Sequence, residues 1–194
     1  MEFGQYAKYD VWGLALLAYI GAFRQYPSVI DKYFKNKLGI DLETDPETLK
    51  TIYVPLDKWL DVTHALVEEV GANSVYSVGK RIAEASPLPP GIDEVTQVLF
   101  GIEMAYHMHH RKEGVAMLDP ATGVKLDGLG HYACEILEGG TSANMTCDNP
   151  YPCDLDRGII AGFTARFQTA VSVSHATTAC RKKGDKACVY LVQW

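Results

Sequence analysis

The chain has no excess of basic charge and no long apolar run, and each shortage removes a class of partner. Lys and Arg number 18 against 24 Asp and Glu, a net charge of −6. Duplex binding relies on basic patches that neutralise phosphates, so nucleic acid is not an expected partner. The one basic cluster, Arg181-Lys182-Lys183, reads as the solvated tip of a hairpin. The apolar stretch from Val11 to Phe23 holds about 13 residues, where a membrane span needs roughly 20. Acidic Glu2 and Asp10 precede it, without a basic n-region or a small-residue cleavage site. The segment is expected to be a buried or dimer-forming helix, and the protein cytoplasmic, with no membrane partner. GxGxxG, P-loop, HExxH, GxSxG and CxxCH patterns are all absent, and with them the short fingerprints of nucleotide, metalloprotease, serine hydrolase and c-type heme chemistry. Binding is expected before catalysis.

What is present describes one globular domain. The chain has 194 residues, 47% apolar and 22% charged, enough to bury a sizeable core. The proline-rich stretch Ser86 to Glu94 divides it, since its prolines end a helix and Gly91 suits a turn. Before it the text is helical. Asp10 is expected to cap a helix through Trp12 and Ile20; Pro27 interrupts it, and Ser28 to Leu38 continues. Pro55 to Val70 carries an apolar stripe at helical spacing, Leu56, Trp59, Leu60, Val62, Leu66 and Val70. Asn73 to Ala85 is a further helix, and Asp93 caps another through Met104. Strand signals follow at Gly114 to Leu118, His131 to Leu137 and Thr141 to Cys147. A helix from Asp154 to Phe167 and a closing hairpin complete an α+β fold, with helices packed on one face of an antiparallel sheet and an N-terminal helical extension over residues 1–74. Trp12, Tyr19 and Tyr26 in that extension fit either a homodimer interface or ordinary core.

Five cysteines, an odd number, fit poorly with a closed disulfide framework. Cys180 and Cys188 flank the turn sequence Lys183-Gly184-Asp185, with alternating residues outside it, so a hairpin brings their sulfurs together. Cys153 precedes a helix that returns it to the same place. Three converging thiols in a cytosolic chain point to a structural zinc ion. Cys134, alternating with Glu135, is expected to pack as a small hydrophobe. A second constellation, His107-Met108-His109-His110, ends a helix. His107, nearest the apolar part, is expected to face inward, while His109 and His110 read as a solvated helix end complementing the dipole. His107, His131 and His175 are available as heme-iron ligands.

Asn149-Pro150-Tyr151-Pro152-Cys153, the helix DRGIIAGFTARF and the closing run from Cys180 to Cys188 resemble the vinyl-4-reductase domain superfamily over residues 75–194. That superfamily shares its fold with the heme nitric-oxide/oxygen-binding domains and with subunits of Golgi transport tethers. The layout is similar to the sensory domains of bacterial activators that respond to phenol and toluene. The resemblance implies zinc on Cys153, Cys180 and Cys188. Where those domains place a glutamate three residues before the first late cysteine this chain has Thr177, so the fourth ligand would be Cys147, His175 or a non-protein group. The resemblance also implies that His107 and either His131 or Tyr132 anchor a ligand's polar group. The Tyr-x-Ser-x-Arg signature that holds heme propionates in the nitric-oxide family is absent.

The resulting expectation is a sensory domain with an apolar pocket for a small aromatic molecule, lined by Phe100, Met104, His107, Tyr132, Phe163 and Phe167, plus a zinc site. The alternatives are a heme- or tetrapyrrole-binding sensor and an enzyme acting on a tetrapyrrole-like substrate.

Overall fold

The computed structural model describes residues 3–23, 27–40 and 46–194. Its contacts divide the chain into two units, Met1–Gly71 with His107–Leu126, and Ala72–Tyr106 with Asp127–Trp194. The α+β class is as expected. The strands, however, form two four-stranded antiparallel sheets, and residues 107–126 rejoin the N-terminal part.

In the first unit, β1 (Tyr9–Trp12), α1 (Leu14–Phe23), α2 (Pro27–Ile30), a π-helical turn (Asp31–Lys35), α3 (Asn36–Leu38), α4 (Pro46–Leu49), β2 (Tyr53–Pro55) and α5 (Leu56–Val70) are followed, later in the chain, by β3 (His110–Lys112) and β4 (Val115–Ala116). Asp10 does not cap a helix. It sits in β1, opposite Pro55 on one side and Arg111 on the other, so the helix starts only at Leu14. Tyr9 and Val11 alternate inward as period two demands. The stripe of α5 is buried as its spacing predicts, with Leu56, Trp59, Leu60, Val62 and Leu66 in the core. Tyr19 is also core, meeting the fully buried Trp59 edge-on at 4.8 Å, while Phe34 lies 6.0 Å from the same ring. Each such aromatic pair adds about 0.5–1.5 kcal/mol beyond its area burial. That packing removes Tyr19 from any dimer interface. Trp12 is half-buried, stacked on His109 with its indole N–H donating to the Lys50 carbonyl at 2.6 Å, and Tyr26 lies outside the described residues.

The second unit contains α6 (Ala72–Ala85), α7 (Val95–Met108) up to Tyr106, β5 (Tyr132–Ile136), β6 (Ser142–Cys147), α8 (Cys153–Thr164), β7 (Ser172–His175) and β8 (Cys188–Gln193). The proline stretch separates α6 from α7 as expected, and the Gln97 side chain accepts from the Asp93 N–H at 2.9 Å, closing the entry to α7. The sheet runs β5-β6-β8-β7. Its register sets Tyr132 opposite Cys147, Cys147 opposite Cys188, and His175 opposite Tyr190. Helix α8 starts at Cys153, after Pro152, and ends at Thr164 rather than at Phe167. Cys180 is not on a hairpin strand. It precedes a single 3-10 turn, Arg181–Lys183, that Gly184 ends at φ 91°, the left-handed conformation glycine adopts without steric cost.

Candidate functional site

Three elements of the second unit deliver one sulfur each to a single point. Cys153 opens α8, Cys188 opens β8, and Cys180 stands at the head of the turn between β7 and β8. Their Sγ atoms are 3.8 Å (153–180), 3.3 Å (153–188) and 3.7 Å (180–188) apart. A tetrahedron whose corners lie about 2.3 Å from its centre, the usual Zn–S distance, has edges of about 3.8 Å, so two of the three edges are already at that length. The loop carrying Cys180 is tied by its own ends, with the Cys180 N–H donating to the Asp185 carboxylate at 2.8 Å and the Lys183 N–H to the Cys180 carbonyl at 2.8 Å. The Arg181 N–H points at the Cys188 sulfur, 3.4 Å away. The hydrogen bond with Cys153, aided by that N–H, pulls the Cys188 thiol well below its ordinary value and holds the Cys153 thiol above its own. Metal ligation needs thiolates, and one is already favoured here. Neither expected fourth ligand joins the convergence: Cys147 lies opposite Cys188 in register and His175 opposite Tyr190, and only the three cysteines come together.

Beside the thiols lies a buried polar cluster. The Asp156 carboxylate, fully buried three residues into α8 from Cys153, accepts from the Tyr132 hydroxyl, the Arg181 guanidinium and, at 3.3 Å, the Asn149 amide. Arg181 also donates to the Asn149 side-chain oxygen and to the Tyr151 carbonyl, each at 3.0 Å. Burial pushes Asp156 up to about 6, against the pull of its three donors. Burial alone would lower Arg181, but the charge of Asp156 reverses this and holds it above its ordinary value. The Arg181 side chain is only 12% exposed, which corrects its reading as part of a solvated tip. The three donors offset part of the cost of burying the Asp156 carboxylate, and the upward shift shows that desolvation still outweighs them. Asp156 and Arg181 are the residues the sequence reading missed. The signal available was spacing, since Asp156 is on the Cys153 face of its helix and Arg181 adjoins Cys180.

Tyr132 connects this cluster to α7. Its backbone N–H donates to Glu103 at 2.7 Å, its neighbour His131 places Nδ1 3.1 Å from the same carboxylate, and its ring meets Tyr106 edge-on at 5.3 Å. Glu103 is thus a further missed residue. One helical turn further along α7, His107 is fully buried, as its position on the helix predicts. His110 is buried in β3 and His109 stacks on Trp12 at 5.6 Å, so neither is a solvated helix end.

The expected apolar pocket is not assembled. Phe100 and Met104 are 52% and 44% exposed on the outer face of α7, with Met108 continuing the stripe. Phe163 is buried in α8, and Phe167 borders a shallow, open depression beside Asp93 and Trp194. Cys134 is half-exposed on β5 rather than core, with burial still pushing its thiol up to about 11. Among the described residues no helix is long and apolar enough to cross a membrane.

No protein-family model and no curated protein matches the chain. Its fold does match solved structures. An H-NOX protein from S. oneidensis in its Fe(II)NO ligation state superposes with a TM-score of 0.61 at 15% identity, over 93% of this chain and 97% of that one. A variant of the T. tengcongensis H-NOX gives 0.62 at 14% identity over 94% and 96%, and a variant of the Fe(II) unliganded H-NOX from K. algicida 0.56 at 11% over 93% and 95%. These likenesses correct the assignment to the vinyl-4-reductase superfamily and the phenol- and toluene-sensing domains. That resemblance covered only residues 75–194, whereas the H-NOX matches cover 93–94% of the chain. The chain therefore has the fold of the heme nitric-oxide/oxygen-binding domains.

Proposed function

We propose that the chain is a heme-binding sensory domain of the H-NOX kind, in which His107 would hold the iron. The observation that carries this is a fully buried imidazole on α7 in a fold whose solved neighbours are H-NOX proteins in ferrous ligation states. A neutral imidazole is the usual proximal donor to heme iron in gas-binding proteins, so the donor set fits at that position. At the propionates it departs from the family signature. Tyr-x-Ser-x-Arg does not occur in the sequence, and Tyr132 and Arg181 are committed to Asp156. Other donors would have to hold the carboxylates. Bound heme supplies an iron able to take a small diatomic gas. The chain's contribution is to present the histidine and fix the helix that carries it. Titrating the purified chain with hemin should develop a Soret band saturating near one equivalent, which His107→Ala weakens and added imidazole restores. Absence of a Soret band in the wild-type chain defeats the reading.

A second reading has its own observation, the three sulfurs within 3.8 Å of one another. It is a tetrahedral zinc site on Cys153, Cys180 and Cys188, with His175, Cys147 or a non-protein group as the fourth ligand. Such a closed, thiolate-rich set is structural rather than catalytic. Metal analysis of the purified chain should find close to one zinc per chain, independent of heme content.

A further inference from the structure

The polar cluster lies between the thiols and the Glu103–Tyr106 stretch of α7, and it touches both. Arg181 shares its backbone with the thiol cluster, being bonded to Cys180 and donating its N–H to Cys188, while its guanidinium grips Asp156 and Asn149. Asp156 takes the Tyr132 hydroxyl, and Tyr132 meets α7 twice, through its N–H on Glu103 and its ring on Tyr106. Tyr106 is anchored again by its hydroxyl on the Leu129 carbonyl at 2.8 Å. We infer that Arg181, Asp156, Tyr132 and Glu103 form a relay by which a divalent metal in the thiol cluster sets how firmly α7 is held one turn before His107. The inference rests on the metal reading of the thiols and adds what that metal would regulate.

The geometry gives the relay a reason to move. Cys153 and Cys188 stand 3.3 Å apart, and tetrahedral ligation needs about 3.8 Å, so filling the site widens that pair and presses the head of α8 away from the start of β8. Asp156 rides on α8 and Arg181 on the turn that holds Cys180. The two Cys180 edges are near 3.8 Å already, so ligation moves the Asp156 end of that ion pair against the Arg181 end. A change of about 0.5 Å is large for buried hydrogen bonds whose working range is roughly 2.7–3.2 Å. Packed cores pass such shifts on instead of absorbing them. The Tyr132 side chain touches both Asp156 on α8 and Tyr106 on α7, so it is the link to cut.

The test uses the full chain and Zn²⁺ alone, with hydrogen exchange of the Tyr132 backbone amide as readout. In the wild type, adding one equivalent of Zn²⁺ to chelator-stripped protein should change the protection of that amide by roughly five- to tenfold. In Tyr132→Phe, which keeps the ring against Tyr106 and removes only the hydroxyl, the change should fall below about twofold while Zn²⁺ still binds. Asp156→Asn provides a second cut should the first variant fold poorly. If Zn²⁺ does not bind the wild type, the metal reading and the relay fall together. If it binds but leaves the amide unaffected, or alters it equally in Tyr132→Phe, the relay is overturned and the metal reading stands.

Discussion

Gly79 on α6 and Gly158 on α8 stand back to back at the crossing of their helices. A Cβ on Gly158 would lie 2.1 Å from the Tyr76 carbonyl oxygen and 3.0 Å from the Gly79 Cα, and one on Gly79 would lie 2.4 Å from the Leu155 carbonyl oxygen. Backbone against backbone leaves no flexible side chain to yield, so the helices must separate if either glycine gains a side chain. Gly158→Ala is expected to destabilise the fold by about 3 kcal/mol or more, at or above the usual range for overpacking. Because α8 begins with Cys153, the same variant should also loosen the thiol cluster. Urea unfolding of wild type and variant, each with and without Zn²⁺, reads both effects; an unchanged midpoint would show that the crossing can open at little cost.

Removing one sulfur from the cluster should cost more with metal present than without it. Cys180→Ser is expected to lose the zinc and with it the concentration-dependent stabilisation a folded-state ligand confers, about 4 kcal/mol at a thousand times its Kd. Cys134→Ser, on the half-exposed thiol of β5, should leave metal content and melting unchanged. Cys147→Ser separates the two candidate fourth ligands: retained zinc in that variant and lost zinc in His175→Ala would fix the set as three cysteines and a histidine. Melting scans with added Zn²⁺ and with chelator check each case.

Those thiols were legible in the sequence because their spacing around a turn constrained them to one place, although the turn is a 3-10 turn on a loop and not the tip of a strand pair. The long helices α5, α6 and α7 were legible for a similar reason, since their apolar stripes recur over three or four turns. The N-terminal sheet was not. Its strands are two to four residues long, and β1 pairs with β3 about a hundred residues away, so no local alternation is long enough to outweigh an apolar run that reads as helix. Arg181 was misread because the burial of a basic residue depends on its partner, and Asp156 lies 25 positions away. An acid in the first turn of α8 looks like an ordinary complement to the helix dipole, and only the fold reveals that it is buried.

The raised Asp156 carboxyl makes a signed prediction for acid stability. Its folded value is about 6 against an ordinary 3.8, so between pH 4 and pH 6 the folded chain holds a proton that the unfolded chain has released. Stability then falls as pH rises through that window, and the contribution is fully present below about pH 4. Each pH unit separating the folded and unfolded values corresponds to about 1.4 kcal/mol, so the wild type should lose roughly 1–3 kcal/mol relative to Asp156→Asn between pH 4 and pH 7. Urea unfolding of metal-stripped protein at the two pH values measures the difference. A parallel pH dependence in the two proteins would assign the slope to other groups.

His107 and His109 are two positions apart and should respond differently to removal. His107 is fully buried on α7, whereas His109 is half-buried with its ring 5.6 Å from Trp12. If His107 holds the iron, His107→Ala should weaken hemin binding at least tenfold, a difference of about 1.4 kcal/mol, and added imidazole should recover the spectrum by filling the space the side chain leaves. His109→Ala removes a stacked pair and should lower stability by about 1 kcal/mol while leaving the Soret band in place. Hemin titration should therefore separate the variants, with affinity lost in the first and kept in the second, while melting falls in both because His107 is fully buried. Equal loss of hemin affinity in both would mean that the substitutions act through the fold near the end of α7 and would remove His107 as the axial ligand.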